Sequence, residues 1–409
     1  MFLKDFYCFR CGTRQIAEEL NHRCLRCEGL LIADYDYDKI SRFLNKEDLL
    51  HRAPTIWRYK ELLPLADESN IVTKGEGMTP ILPLKKIGKE MGLARLFMKD
   101  ESLMPCDTFK ARGASVAVSR ALEAGCETIV AVAEAAECFA WACYAAAAGI
   151  GAVLLSPAAE MTPALENAIR STGAKLNLYE GSAPEAERLA QRSAETHGWF
   201  HVSAFYEPYR LEGKKTLAFE ILEAFEWKLP DVIICPANRD GAFLGIYRGL
   251  RDLQRLGWIP AKLPRLVAVQ EEGNAPIVKA WEARRTEVVP SKSSDPTVPL
   301  HVDEDLKFEG QGAHFVLDGV YKSLGCAAEV GAARIDEARA KLAAREGIIA
   351  SRNGASTLAA AVKLSAAGWL GSGERVLMIS PDSGRDSCEG ALSEGAAVDL
   401  GLDALADSI

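Results

Sequence analysis

Two pairs of cysteines near the start of the chain stand at a spacing that metals use. Cys8-Phe9-Arg10-Cys11-Gly12 and Cys24-Leu25-Arg26-Cys27-Glu28-Gly29 form two CxxC knuckles with twelve residues between them. Each knuckle can set two thiolates on one side of a tight turn, and two knuckles complete a tetrahedron around zinc. Gly12 and Gly29 suit turns that need positive φ. Rubredoxin-like iron satisfies the same geometry; the plain alternative is a pair of free-thiol turns. Four cysteine ligands leave no open coordination position, so the expected role is structural. The second residue able to do chemistry is Lys110, in Pro105-Cys106-Asp107-Thr108-Phe109-Lys110-Ala111-Arg112-Gly113. A lysine amine can condense with an aldehyde, pass it to another amine and then carry protons. Taken alone, Lys110 reads more readily as an ordinary exposed lysine at a helix start. His51, His197, His201, His301 and His314 are isolated from one another, so no second metal cluster is expected and a zinc hydrolase is disfavoured.

These residues need elements to hold them. With 409 residues the chain can bury a large core in two or more domains. Net charge is −9, which argues against a nucleic-acid surface. No apolar run reaches the roughly 18–20 residues that span a bilayer, and no secretion signal opens the chain. Eleven cysteines, with seven scattered outside the knuckles, fit a reducing cytoplasm better than a disulfide framework. From about residue 95 the pattern alternates. Strands are expected at 128–132, 152–155, 175–179, 231–235, 266–269 and 375–379. Helices are expected at 139–148, stopped by Gly149, and from a Thr162 cap to Thr172. Short apolar strands between helices predict parallel sheets covered on both faces. Residues 285–312, rich in Pro, Ser, Asp and Gly, read as a long excursion without regular structure.

The run Glu207-Pro208-Tyr209-Arg210-Leu211-Glu212-Gly213-Lys214-Lys215-Thr216 resembles threonine synthases. So does the order of parts around it. The four-cysteine ribbon is followed by Gly75-Glu76-Gly77-Met78-Thr79-Pro80, Lys99-Asp100-Glu101 and the Phe109-Lys110-x-Arg112-Gly113 motif; later come Leu229-Pro230-Asp231, Gly273-Asn274-Ala275-Pro276-Ile277 and Arg345-Glu346-Gly347-Ile348. The resemblance spans essentially the whole chain. It implies a fold-type II pyridoxal phosphate (PLP) enzyme of the tryptophan synthase beta family: an α/β chain with two open twisted domains and an N-terminal zinc ribbon. The implied division is residues 1–34 for the ribbon, 35–95 plus 206–409 for the large domain and 96–205 for the small one. The cofactor would lie in the cleft at the carboxyl ends of strands. Lys110 matches the Schiff-base lysine. Ser383, in Asp382-Ser383-Gly384, matches the hydroxyl that faces the pyridine nitrogen. Lys214 and Arg112 are candidate anion contacts. A homodimer is implied by family habit.

Three loops depart from the family pattern. The Gly-rich phosphate loop is replaced by Pro236-Ala237-Asn238-Arg239-Asp240-Gly241-Ala242-Phe243. There Asn238, Arg239 and Gly241 are the expected cofactor contacts, with Arg239 offering a bidentate phosphate bond. The Ser/Thr-Gly-Asn stretch becomes Ala133-Glu134-Ala135-Ala136-Glu137-Cys138-Phe139. Glu134 or Glu137 is either a new acid or base, or an ordinary first-turn glutamate favoured by the helix dipole. Arg352-Asn353-Gly354-Ala355 stands where the family has Pro-Glu-Gly-Ala. The first functional reading is a PLP-dependent lyase or synthase acting by elimination or replacement on an amino acid that carries a leaving group, with O-phosphohomoserine to threonine as the default. The second is a pseudoenzyme or binding protein of the same fold that has lost PLP.

Overall fold

The computed structural model describes residues 2–204, 206–237, 241–288 and 309–385, with the backbone alone for 309–311. Asn238, Arg239, His301 and most of the expected excursion at 285–312 lie outside these residues; a helix, Glu309–Lys322, begins within the last part of that range.

Three sheets organise the chain. The first is a small antiparallel sheet with Leu3–Cys8 between Arg14–Ile16 and Leu31–Tyr35. The second has six strands in the order Cys326–Val330, Arg265–Glu271, Val232–Pro236, Arg375–Ser380, Arg95–Asp100 and Ile81–Pro83. All are parallel except the last, which runs antiparallel at the edge. The third is wholly parallel: Lys175–Tyr179, Gly151–Pro157, Thr128–Val132 and Phe200–His201. The alternating pattern predicts parallel sheets, which the four-stranded sheet is throughout and the six-stranded sheet is except at its Ile81–Pro83 edge. The strand Arg95–Asp100 belongs to the six-stranded sheet, so sheet membership puts it with the larger unit rather than at the start of the 96–205 unit.

The central strands explain themselves by composition. Along Val232–Pro236 and Arg375–Ser380, Ile233, Cys235, Leu377 and Ile379 enter one apolar cluster, whereas Val232, Ile234, Val376 and Met378 enter another. Successive side chains point to opposite faces, so a near-continuous apolar run means that both faces are covered. The helix ends follow local rules. Thr162 accepts from the Leu165 N–H at the start of Pro163–Ser171, and Gly149, with φ +71°, closes Ala135–Ala148.

The helix Lys110–Glu123 crosses Tyr209–Lys214 very closely. A Cβ on Gly213 would lie 2.1 Å from the Arg112 carbonyl oxygen, and one on Gly113 would lie 2.9 Å from Arg210 Cβ. Only glycine permits such a crossing. The ribbon seats on the same pair of helices. Arg120 donates to the carbonyls of Ala17 and Glu18 at 3.0 and 2.8 Å, the Asn21 N–H donates to the Tyr209 hydroxyl at 2.7 Å, and Tyr35 donates to Glu212 at 2.8 Å.

Candidate active site and metal centre

Lys110 is the first residue of its helix and is 3% exposed. The chain reaches it through two consecutive left-handed residues, Cys106 (φ +64°) and Asp107 (φ +56°). This kinked approach is stitched to the segment that follows the strand Arg375–Ser380. The Ser383 N–H donates to the Asp107 carbonyl at 3.0 Å and the Phe109 N–H donates to the Pro381 carbonyl at 2.9 Å; the Thr108 hydroxyl donates to Asp382 Oδ1. Lys110 is thereby held at the carboxyl end of a central strand of the six-stranded sheet. Its Nζ forms an ion pair with Glu134 and lies 3.9 Å from Asp382 Oδ1. Glu134 follows the strand Thr128–Val132 of the other parallel sheet, so the lysine bridges the carboxyl ends of both sheets.

Gly241 has φ +72° and caps the helix Ala242–Arg255. A helix start offers unpaired N–H groups and the positive end of the dipole, which suits an anion. A Cβ there would sit 3.6 Å from Lys214 Nζ, and that ammonium is 5.0 Å from the centre of the Phe109 ring, beside Lys110. Lys214 is 3% exposed. Helix start and buried cation together make an anion cradle. Next to it, burial pushes the Glu207 carboxyl up to about 7, although its Oε2 accepts from the N–H groups of Tyr209 and Arg210 at 2.5 and 3.0 Å.

Arg112 does not reach this cleft. It is fully buried, with Nε donating to Glu101 at 2.6 Å, Nη2 to Glu101 and Glu220 at 2.9 and 2.8 Å, and Nη1 to Thr216 at 3.0 Å. A guanidinium in a fork of two carboxylates is spoken for, so its expected role as an anion contact is corrected to a structural one. The two candidate glutamates also separate. Glu137 pairs with Arg210 at 2.7 Å, whereas Glu134 faces Lys110.

Ser383 holds its turn through the backbone, and its hydroxyl accepts from the Arg385 N–H at 3.3 Å. Three residues earlier, Ser380 ends the strand with a hydroxyl that is buried and finds no hydrogen-bond partner among the described residues. A buried unpaired hydroxyl is costly, and this one packs against Gly354. Sequence reasoning passed over Ser380; the one signal was a polar residue ending an apolar strand, at the ligand-binding end of an open sheet.

In the ribbon, the Sγ atoms of Cys8, Cys11, Cys24 and Cys27 lie within 4.8 Å of one another. Cys8–Cys27, Cys11–Cys24 and Cys11–Cys27 are 3.5, 3.6 and 3.4 Å apart. Zinc–sulfur bonds of about 2.3 Å give a tetrahedral edge of about 3.8 Å, so this cage fits such an ion after slight expansion. The first knuckle turns at Gly12 (φ +71°) as expected, but the second turns at Glu28 (φ +56°) rather than Gly29.

A family model described as pyridoxal-phosphate dependent enzyme matches residues 72–382. The chain belongs to that family. Within it the chain is threonine synthase-like. It is 32% identical over 409 residues to a threonine synthase of Methanosarcina acetivorans, covering 98% of each chain. It is 31% identical over 386 residues to one from Methanocaldococcus jannaschii, covering 94% of this chain and 93% of that one. Among solved structures it matches O-ureido-L-serine synthase with a TM-score of 0.61 at 25% identity, over 81% of this chain and 96% of that one. Maize serine racemase aligns with a TM-score of 0.64 at 19% identity, over 87% and 97%, a likeness of fold. The protein is thus a PLP-dependent enzyme with the fold-type II architecture. Its residues fit the cofactor: an amine at Lys110, an anion cradle at Gly241 and Lys214, and an unsatisfied hydroxyl at Ser380. The binding-protein reading rested on altered loops, and these three features weigh against it.

Proposed function

We propose that this enzyme catalyses elimination or replacement on an amino acid bearing a leaving group, with O-phosphohomoserine to threonine, or a related phosphorylated amino acid, as the substrate class. The observation that carries the reading is Lys110, buried at the junction of both parallel sheets beside an anion cradle. PLP, when bound, supplies the electron sink that lets a Cα–H bond break. Lys110 would hold the cofactor, and its Nζ would carry the Cα proton. The N–H groups after Gly241, with Lys214, hold phosphate. We assign the pyridine-facing hydroxyl to Ser380 rather than Ser383, because Ser380 lacks a partner of its own. A neutral hydroxyl there would not donate its proton to a pyridine nitrogen, which would limit electron withdrawal and suit loss of a group at Cβ or Cγ. The cysteine cage holds zinc as a structural ion, fixing the ribbon against the helices that carry Lys110 and Lys214.

The test is to supply PLP-loaded protein with O-phosphohomoserine and with O-phosphoserine, measuring inorganic phosphate and the amino-acid product by mass spectrometry. Phosphate release with a new amino acid, abolished in Lys110→Ala, is the expected outcome. Absence of release from either substrate, in protein that carries PLP on Lys110, would reject the substrate class.

A further inference from the structure

Lys110 occupies the wrong end of a helix for a cation. The dipole is positive at an N-terminus, and the amine is also withdrawn from water. Among the described residues, the charged groups that face its Nζ are Glu134, at the start of Ala135–Ala148, and Asp382, after the strand Arg375–Ser380. The Cys138 thiol, one turn into the same helix as Glu134, also feels the Lys110 charge, though burial pushes it up first. Asp382 is already bonded by the Thr108 hydroxyl and stands off at 3.9 Å. Glu134 makes the closer contact.

Glu134 stands immediately before the helix Ala135–Ala148. Short polar side chains at this position turn an oxygen back onto the first free N–H groups. Glu134 makes no such bond and reaches across to Lys110 instead. Its side chain is 39% exposed, against 2% for that of Lys110. One carboxylate therefore links a dry amine to water. We propose that Glu134 is the positioning residue and proton partner of Lys110. It fixes the ε-ammonium at the cleft, accepts its proton when the free amine is needed, and returns one afterwards. The step is balanced within the pair: the N–H bond of Lys110 breaks, an O–H bond forms on Glu134, and the proton leaves to solvent from the exposed carboxyl. Ion pairing also makes the resting amine harder to deprotonate, so the pair sets the pH at which Lys110 becomes reactive. This inference rests on the assignment of Lys110 as the reactive amine.

The test uses the full chain without PLP, so its result does not depend on cofactor binding or substrate. Acetic anhydride labels lysine amines only when deprotonated. Peptide mass analysis then gives the rate at Lys110 as a function of pH, referenced to exposed lysines. The Glu134→Gln variant should move the Lys110 midpoint down by about one pH unit, roughly a tenfold faster rate at fixed pH below the midpoint, since one unit is one factor of ten. Glu134→Asp, which keeps the charge, should restore most of the wild-type profile. Glu137→Gln, one turn along and paired to Arg210, should leave the midpoint where it is. With PLP and substrate present, Glu134→Gln should lower kcat and displace its pH optimum with little change in KM. Identical Lys110 profiles in wild type and Glu134→Gln, including equal unreactivity over the whole range, would overturn the proposal. So would an equal shift in Glu137→Gln. Loss of turnover together with an unchanged labelling profile would count against proton partnership. A shifted profile in a protein inactive on every phosphorylated amino acid would leave Glu134 assigned and reject only the substrate class.

Discussion

Replacing Arg112 with methionine should destabilise the protein more than almost any other single change. The guanidinium is fully buried and holds Glu101 and Glu220, while Lys99 donates to Glu220 at 3.0 Å and to the Thr79 carbonyl at 2.5 Å. Removing one member of such a cluster strands buried charge, at a cost of about 3–5 kcal/mol. Glu220 feels the same contacts. Burial alone would raise its pKa, but Arg112 and then Lys99 outweigh it and hold the carboxyl at about 2, from an ordinary 4.5. The sign is that of a depressed carboxyl: the contribution is present above about pH 4.5 and is lost as pH falls through 2. Urea unfolding at pH 7, followed by tryptophan fluorescence, should show Arg112→Met less stable by about 3–5 kcal/mol. Arg112→Lys should fall between the two, because it keeps the charge and loses the fork. The acid-side loss of stability should flatten in Arg112→Met. A variant within about 1 kcal/mol of wild type, the scale of an exposed ion pair, would refute the cluster as a structural keystone.

Other consequences follow from the same geometry. Glu207 is raised to about 7 by burial, so the native state prefers its proton and stability should decline as pH rises from about 4.5 through 7; Glu207→Gln should remove that slope and be the more stable protein at pH 8, as read by thermal unfolding at several pH values. The Cys106 thiol, by hydrogen bonding, holds the Cys143 thiol down at about 7, so iodoacetamide should label Cys143 ahead of the buried Cys138, Cys235 and Cys326; Cys106→Ala should slow that labelling severalfold at pH 7. Metal analysis should find about one zinc per chain, and chelation should lower the melting temperature as the contacts of Arg120 and Tyr209 loosen, whereas Lys110→Ala should retain its zinc.

How much of this was legible in the chain depends on how local each cause is. The strand Lys175–Tyr179 and the Thr162 and Gly149 caps follow from short-range pattern and were read where they occur. The cysteine cluster was legible because its four members sit on two tight turns. Even so, turn chemistry at Glu28 was missed, since glycine is the residue expected to supply positive φ. The fate of Arg112 was hidden because Glu220 lies 108 positions away and only tertiary packing brings them together. Glu134 and Glu137 look alike in sequence, and only the fold decides that one meets Lys110 and the other Arg210. Ser383 was legible through the resemblance of Asp382-Ser383-Gly384 to the family turn, whereas the unpartnered hydroxyl of Ser380 shows itself only once burial is known.

The most direct test of the account is the visible spectrum of the purified protein with added PLP, before and after borohydride, with mass analysis of the tryptic peptide carrying Lys110. The account predicts an absorption band of the lysine-bound cofactor that disappears on reduction, a pyridoxyl group on Lys110, and weaker PLP retention in Ser380→Ala than in Ser383→Ala. No band and no adduct on Lys110, in folded protein with its ribbon metal in place, would contradict it.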